Sequence, residues 1–297
     1  MNLSRKMMVL SLLVGSLVAI PCRSFSQAKP ITIKGSDTMV LLGQRWAEAY
    51  MKKYPSVQVQ VTGGGSGVGI AALINGSTDI CESSRPMKEK EKADLRAKRG
   101  MPAVEVPVAV DGLAIYVNTA NALKSLTLDQ ARQVYIGKIK DWQELGGKPG
   151  KIIVYGRENS SGTYAYFKEH VLANADFHPS VQTLPGTAAV TNAVSKDLKA
   201  IGYGGIAYGK GIKHLQIKKD DASPAVEPNM ANVLSGQYPI SRNLFWYFSG
   251  EPSGELLKIT NWVLSAEGQK LVEEVGYYPL PKKSSAPAKV PTKKAVK

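Results

Sequence analysis

Residues 57–75 read VQVQVTGGGSGVGIAALIN, and the break in the middle of this stretch decides the fold. Val57, Val59 and Val61 alternate with Gln58 and Gln60, the two-residue period of a strand with one buried face. From Gly63 to Gly67 the period gives way to glycines and Ser66, and an apolar helix follows to Asn75. The same strand, polar turn and helix occur on either side. Upstream, Ile31 and Ile33 run into Gly35, Ser36, Asp37 and Thr38, after which Met39, Leu42, Trp46, Tyr50 and Tyr54 recur at helical spacing until Pro55. Downstream, Ile152 to Tyr155 run into Arg157, Glu158, Asn159, Ser160, Ser161, Gly162 and Thr163, then a helix through Phe167 to Leu172. Strands and helices alternating in this way predict an α/β fold.

Each of these turns opens a helix. A helix N-terminus carries unpaired N–H groups and a partial positive charge, so Ser, Thr and Gly placed there suit an anion. Ser36 or Asp37, Ser66 and Ser161 equally suit plain helix N-caps. Three such turns, one bearing Arg157, tip the reading towards an anion site. In a fourth turn, Thr78 to Cys81 form a brief strand before Glu82, Ser83, Ser84, Arg85 and Pro86. Arg85 reads either as an anion ligand or as a charge facing the polar helix from Met87 to Lys98.

The ends read differently from the body. Arg5 and Lys6 precede an apolar run from Met7 to Ile20, and Ser24 and Ser26 are spaced as a cleavage site before Gln27. That layout predicts a secretory signal peptide over residues 1–26 and an exported, periplasmic protein. Its apolar run is shorter than the roughly 20 residues that span a bilayer. Cys22 offers the alternative of a lipid anchor. Once the leader is removed, Cys81 is the remaining cysteine, so no internal disulfide can form. Much of the formal net charge of +14 sits in the leader and in the tail KKSSAPAKVPTKKAVK, residues 282–297, which reads as a disordered end. Nucleic acid is not an expected partner in that compartment.

The motifs exclude several chemistries. GGGSGVG lacks the Lys-Ser/Thr ending of a P-loop and the spacing of a dinucleotide fingerprint. Gly202, Gly204 and Ala207 match dinucleotide letters, but Gly205, Gly209 and Gly211 argue against the helix that should follow. Ser66 has Val68 where a nucleophile elbow needs glycine. The three histidines, His170, His178 and His214, are dispersed, leaving a serine hydrolase without a base and a metal without ligands. No cofactor is expected.

GSDTM, GGGSGVGI, SSRPM, VDGLAIYVN, YIGKIKDW and GRENSSGTY, in this order, resemble the phosphate-binding proteins of bacterial high-affinity phosphate ABC transporters, class II solute-binding proteins. The likeness runs from Ile31 to Pro281. It implies a non-enzymatic, two-lobed periplasmic-binding-protein-like fold, a sheet flanked by helices in each lobe and the ligand in the cleft. Lobe 1 would comprise residues 27–110 and 239–281, and lobe 2 residues 111–238. The implied partners are inorganic phosphate and the membrane permease subunits, with the binding protein itself a monomer. Another tetrahedral oxyanion, sulfate or molybdate, is the rival ligand, and a secreted hydrolase the more distant alternative. By motif, Ser36, Thr38, Ser66, Arg157, Ser161, Gly162 and Thr163 match the family's ligand loops, and Asp37, Gly67, Ser84, Arg85 and Ser160 in the same turns complete the candidate ligands. Where longer relatives carry a turn aspartate this chain has Ser84. The acceptor for a phosphate O–H is therefore expected at Asp111, with Asp37 second.

Overall fold

The computed structural model describes residues 29–281, so the leader, Cys22 and the basic tail lie outside the described residues. The strands are β1 (Ile31–Gly35), β2 (Val59–Thr62), β3 (Ile80–Ser83), β4 (Ala103–Val117), β5 (Ser125–Thr127), β6 (Ile153–Arg157), β7 (Gln182–Leu184), β8 (Ala200–Gly205), β9 (Lys213–His214), β10 (Gln216–Lys218) and β11 (Ser241–Ser249). The helices are α1 (Val40–Lys53), α2 (Ser66–Asn75), α3 (Glu89–Arg99), α4 (Leu128–Tyr135), α5 (Gly162–His170), α6 (Gly186–Lys196), α7 (Met230–Leu234), α8 (Gly254–Leu264) and α9 (Ala266–Val275). The three expected strand–turn–helix units are thus β1–α1, β2–α2 and β6–α5. The brief strand placed at Thr78 to Cys81 is instead Ile80–Ser83, which carries the Ser83–Arg85 turn to the end of a strand. After the Gly202/Gly204 strand, a short 3-10 turn, Ile206–Tyr208, stands where a dinucleotide fold needs a long helix.

One mixed sheet runs β2-β1-β3-β11-β4-β8-β6-β7, with β9 beside β4. At one end β2, β1 and β3 pair in parallel; at the other β8, β6 and β7 do. The two ends are joined through the antiparallel strands β11 and β4. β4 pairs β11 from Ala103 to Gly112 and β8 from Leu113 to Val117, so a single long strand serves both halves. Its register with β11 slips between Leu244 and Phe245, where Pro107 faces Phe245 and has no N–H to give the ladder.

Apolar side chains gather in two main groups that divide at the same place. Ile33, Trp46, Val108, Trp246 and Val263 belong to the first, in which Trp46 and Trp246 meet edge to face at 5.5 Å. Leu113, Tyr135, Phe167, Tyr203 and Tyr238 belong to the second, with Phe167 stacked on Tyr203 at 4.0 Å. Each packs one face of its own sheet half, and the parallel strand ends of both halves point their turns at the gap between.

The first core encloses a carboxyl group. Glu82 on β3 is fully buried; its Oε1 accepts from Trp246 Nε1 at 3.2 Å, and its Oε2 has no partner among the described residues. Burial pushes its pKa from about 4.5 up to about 8, against the smaller opposing effect of the Trp246 N–H. Folded protein therefore holds this proton over a range in which unfolded protein has lost it, and stability falls as pH rises through that window. The melting temperature is expected to decline between about pH 5 and pH 8, and Glu82→Gln, which cannot ionise, should flatten that decline. An identical pH profile for the two proteins would contradict the buried-acid account.

Candidate anion-binding site

Four turns meet in the gap. Ser36, Thr38, Ser66, Ser84 and Thr163 are all buried there, none more than 1% exposed. Ser36 Oγ donates to Ser84 Oγ at 2.9 Å, and Ser66 Oγ lies 3.3 Å from Ser84 Oγ while accepting from the Ser84 amide at 3.0 Å. Across the gap, Thr38 Oγ1 and Thr163 Oγ1 are 2.8 Å apart.

The helix-cap alternative separates these residues. α1 is preceded by Met39 and α2 by Gly65, and neither has a side-chain cap, so the Ser36 and Ser66 hydroxyls serve no helix end. Ser161 is a true cap, accepting from the Thr163 and Tyr164 amides at 3.1 and 3.2 Å. Gly65, at φ 96°, brings the β2–α2 turn against the β6–α5 turn; a Cβ there would lie 2.5 Å from the Ser160 carbonyl oxygen. Beside it the Gly67 amide donates to that same carbonyl at 2.9 Å, so these two backbone groups satisfy each other. On Gly162 a Cβ would come within 2.2 Å of Ser66 Oγ, which measures how closely α5 is seated on the hydroxyl cluster.

Arg157 ends β6 with 1% exposure. Its Nε and Nη2 grip both Glu158 oxygens at 3.1 and 2.9 Å, Nη2 also donates to Asp37 Oδ2 at 3.0 Å, and Nη1 to Thr187 Oγ1 at 2.8 Å. Burial resists ionisation of Glu158, but the hydrogen bonds and charge of Arg157 outweigh it and hold the carboxyl below its ordinary range. Asp37 itself accepts from the Gly64 amide through Oδ1, and its carbonyl accepts from the Tyr208 hydroxyl.

Two expected ligands have their polar groups engaged within the protein. Arg85 is drawn away from the cluster by Glu91 of α3, to which both terminal nitrogens donate at 2.8 and 2.7 Å, and by the Pro86 carbonyl. It is the charge facing the polar helix. Asp111, expected as an acceptor for a ligand proton, is fully buried with its oxygens committed: Oδ2 accepts from Arg242 Nε and Nη2 at 3.0 and 2.9 Å, and Oδ1 from the Ile206 amide at 3.0 Å.

Arg242, Thr187 and Glu158 were not singled out from sequence. A signal for Arg242 existed: it shares a strand face with Leu244, Trp246 and Phe248 at two-residue spacing, so it had to be buried and matched by a carboxylate. Asp111 is its register partner on β4. Among the described residues no group of three His, Cys, Asp or Glu is placed to hold a metal.

An α/β protein in which the two parallel ends of one mixed sheet turn anion-friendly loops towards each other belongs among binding proteins, and the chain matches the family model described as a PBP superfamily domain over residues 24–267. It is 38% identical over 268 residues to the phosphate-binding protein PstS of Pseudomonas aeruginosa, covering 84% of this chain and 82% of that one. To the PstS of Bacillus subtilis it is 34% identical over 251 residues, 84% of this chain and 80% of that one. A crystal structure of a putative phosphate ABC transporter substrate-binding protein from Clostridium perfringens, with bound phosphate, superposes with a TM-score of 0.77 at 29% identity, over 85% of this chain and 100% of that one. The chain belongs to the PBP superfamily and, within it, to the PstS phosphate-binding proteins.

The position of Arg85 yields a prediction that separates fold from ligand. Arg85→Gln removes a largely buried bidentate pair and is expected to cost about 1 to 2 kcal/mol in denaturant unfolding while leaving anion affinity within about twofold. A large loss of affinity at unchanged stability would return Arg85 to the site.

Proposed function

We propose that this protein captures inorganic phosphate between two lobes outside the cytoplasm and delivers it to the permease subunits of an ABC transporter, acting as a monomeric binding protein and not as an enzyme. The lobes are residues 27–110 with 239–281, and 111–238, and the leader over 1–26 supplies export. The observation that carries this reading is the convergence of buried Ser36, Ser66, Ser84, Thr38 and Thr163 hydroxyls that cap no helix. Hydroxyls that bond one another can turn to donate to the oxygens of a tetrahedral anion, joined by the amides at the starts of α2 and α5.

Phosphate keeps an O–H near neutral pH and sulfate has none, so recognition of phosphate needs an acceptor. With Asp111 committed to Arg242, the serine hydroxyls, which both donate and accept, take that part. Arg157 supplies positive charge beside them while its fork ties Asp37 of the first lobe to Glu158 and Thr187 of the second. Ligand and lobe closure are thereby linked.

Calorimetric titration of the mature chain with phosphate, sulfate and molybdate tests the proposal, phosphate being expected to bind tightest. Removing a buried, hydrogen-bonded charge costs about 2 to 5 kcal/mol, so Arg157→Ala should weaken phosphate roughly 30-fold to several thousand-fold. At about 100 times the dissociation constant, phosphate should add about 2.7 kcal/mol to stability. Tighter binding of sulfate or molybdate, or no binding of any of them, would overturn the assignment.

A further inference from the structure

Arg242 has more in it than a partner for Asp111. A guanidinium presents its N–H groups on a rigid plane: Nε–H and one Nη2–H along one edge, the other Nη2–H and one Nη1–H side by side at the end. In Arg242 the first edge is filled by Asp111 Oδ2. One side of the end is filled too, because Nη2 donates to Thr163 Oγ1 at 2.9 Å. Nη1 is buried with no partner among the described residues, and the side chain is 2% exposed. Planarity then sets the free Nη1–H alongside the bond to Thr163, whose hydroxyl in turn faces that of Thr38.

The rest of the side chain is held still. Tyr166 covers one guanidinium face at 5.2 Å from its ring centre, and its hydroxyl is tied to the Ser241 carbonyl at 2.7 Å. Asp111 is anchored in turn by the Ile206 amide. Arg157 contrasts with this, for both sides of its end are occupied, by Asp37 and Thr187. A buried N–H left unpaired is costly, and an oxyanion arriving between Thr38 and Thr163 would relieve that cost.

We propose that Arg242 is a ligand-binding residue of the cleft, a second cation that gives its free Nη1–H to one oxygen of the tetrahedral anion while its Nη2–H turns the Thr163 hydroxyl into a donor to a neighbouring oxygen. This rests on the phosphate reading of the same site. Asp111 is then a positioning residue that fixes the plane of the fork.

The test compares wild type with Arg242→Lys, which keeps a positive charge for Asp111 but loses the planar fork. Calorimetry should give phosphate affinity about tenfold to a hundredfold weaker for the lysine variant, the range for hydrogen bonds to charged groups. The ligand-free circular dichroism and melting temperature should stay close to wild type. In wild type labelled with nitrogen-15 arginine, the Arg242 side-chain resonances should shift when phosphate is added, a response a purely structural arginine would not give. Affinity within twofold of wild type in a folded Arg242→Lys protein overturns the inference. If that variant does not fold, unmoved Arg242 resonances in wild type overturn it alone. Wild type that binds no phosphate sinks the proposed function itself, and this inference with it.

Discussion

Burying Arg157 is the constraint on which the cleft depends. A guanidinium at the end of β6, shut off from water, is tolerable only if its N–H groups find acceptors, and four of the five do. Glu158 comes from the same turn and Thr187 from the start of α6, so these would be satisfied within one half of the molecule. Asp37 belongs to the other half. Its presence in the set means that the two sheet ends must be close together before Arg157 is fully paired, and the Thr38–Thr163 and Gly67–Ser160 contacts form in the same approach. In this arrangement the contacts that hold the two halves together are also those that satisfy the buried charge.

The charges nearest the cluster do not favour an anion by sum alone. Arg157 and Arg242 face Asp37, Glu158 and Asp111, so the cations are already matched by carboxylates. What remains for a ligand is one unpartnered N–H of Arg242 and a set of neutral dipoles: serine and threonine hydroxyls and the first amides of α2 and α5. Fixed dipoles in a water-excluded gap lose little solvation of their own on binding and do not attract every passing counter-ion from a distance. Such a site selects by the number and direction of hydrogen bonds, which suits a tetrahedral oxyanion better than a chloride or a planar carboxylate.

The α/β class, the three strand–turn–helix units and the residues of the four turns were legible because each leaves a local signal: a change of period, a glycine cluster, a run of hydroxyls. The binding family was legible from motif order. The partners of the charged groups were not, since ion pairing joins residues far apart in the chain, such as Asp111 with Arg242 or Asp37 with Arg157, and depends on strand register that periodicity does not give. Arg85, which the sequence left open between anion ligand and charge facing a polar helix, shows the same limit. Its place in a polar turn beside Ser84 looked like site chemistry, yet Glu91 one helical turn into the next element competes for it and wins with two parallel hydrogen bonds.

The register of β4 and β11 explains why Asp111 and Arg242 sit where they do. These strands pair from Ala103 to Gly112, after which β4 leaves β11 and takes β8 as its neighbour. Asp111 and Arg242 form the last pairs but one before that change, so the ion pair lies at the strand crossing between the two cores. Charged groups that occupy a crossing feel both halves: Asp111 reaches the Ile206 amide beyond β8, and Arg242 reaches Thr163 at the head of α5. An ion pair buried for stability alone gains little over apolar residues of the same volume. Placed at the crossing, it instead sets the angle at which α5 and the turn after β8 are presented to β1 and α1, and hence the geometry in which the hydroxyls meet.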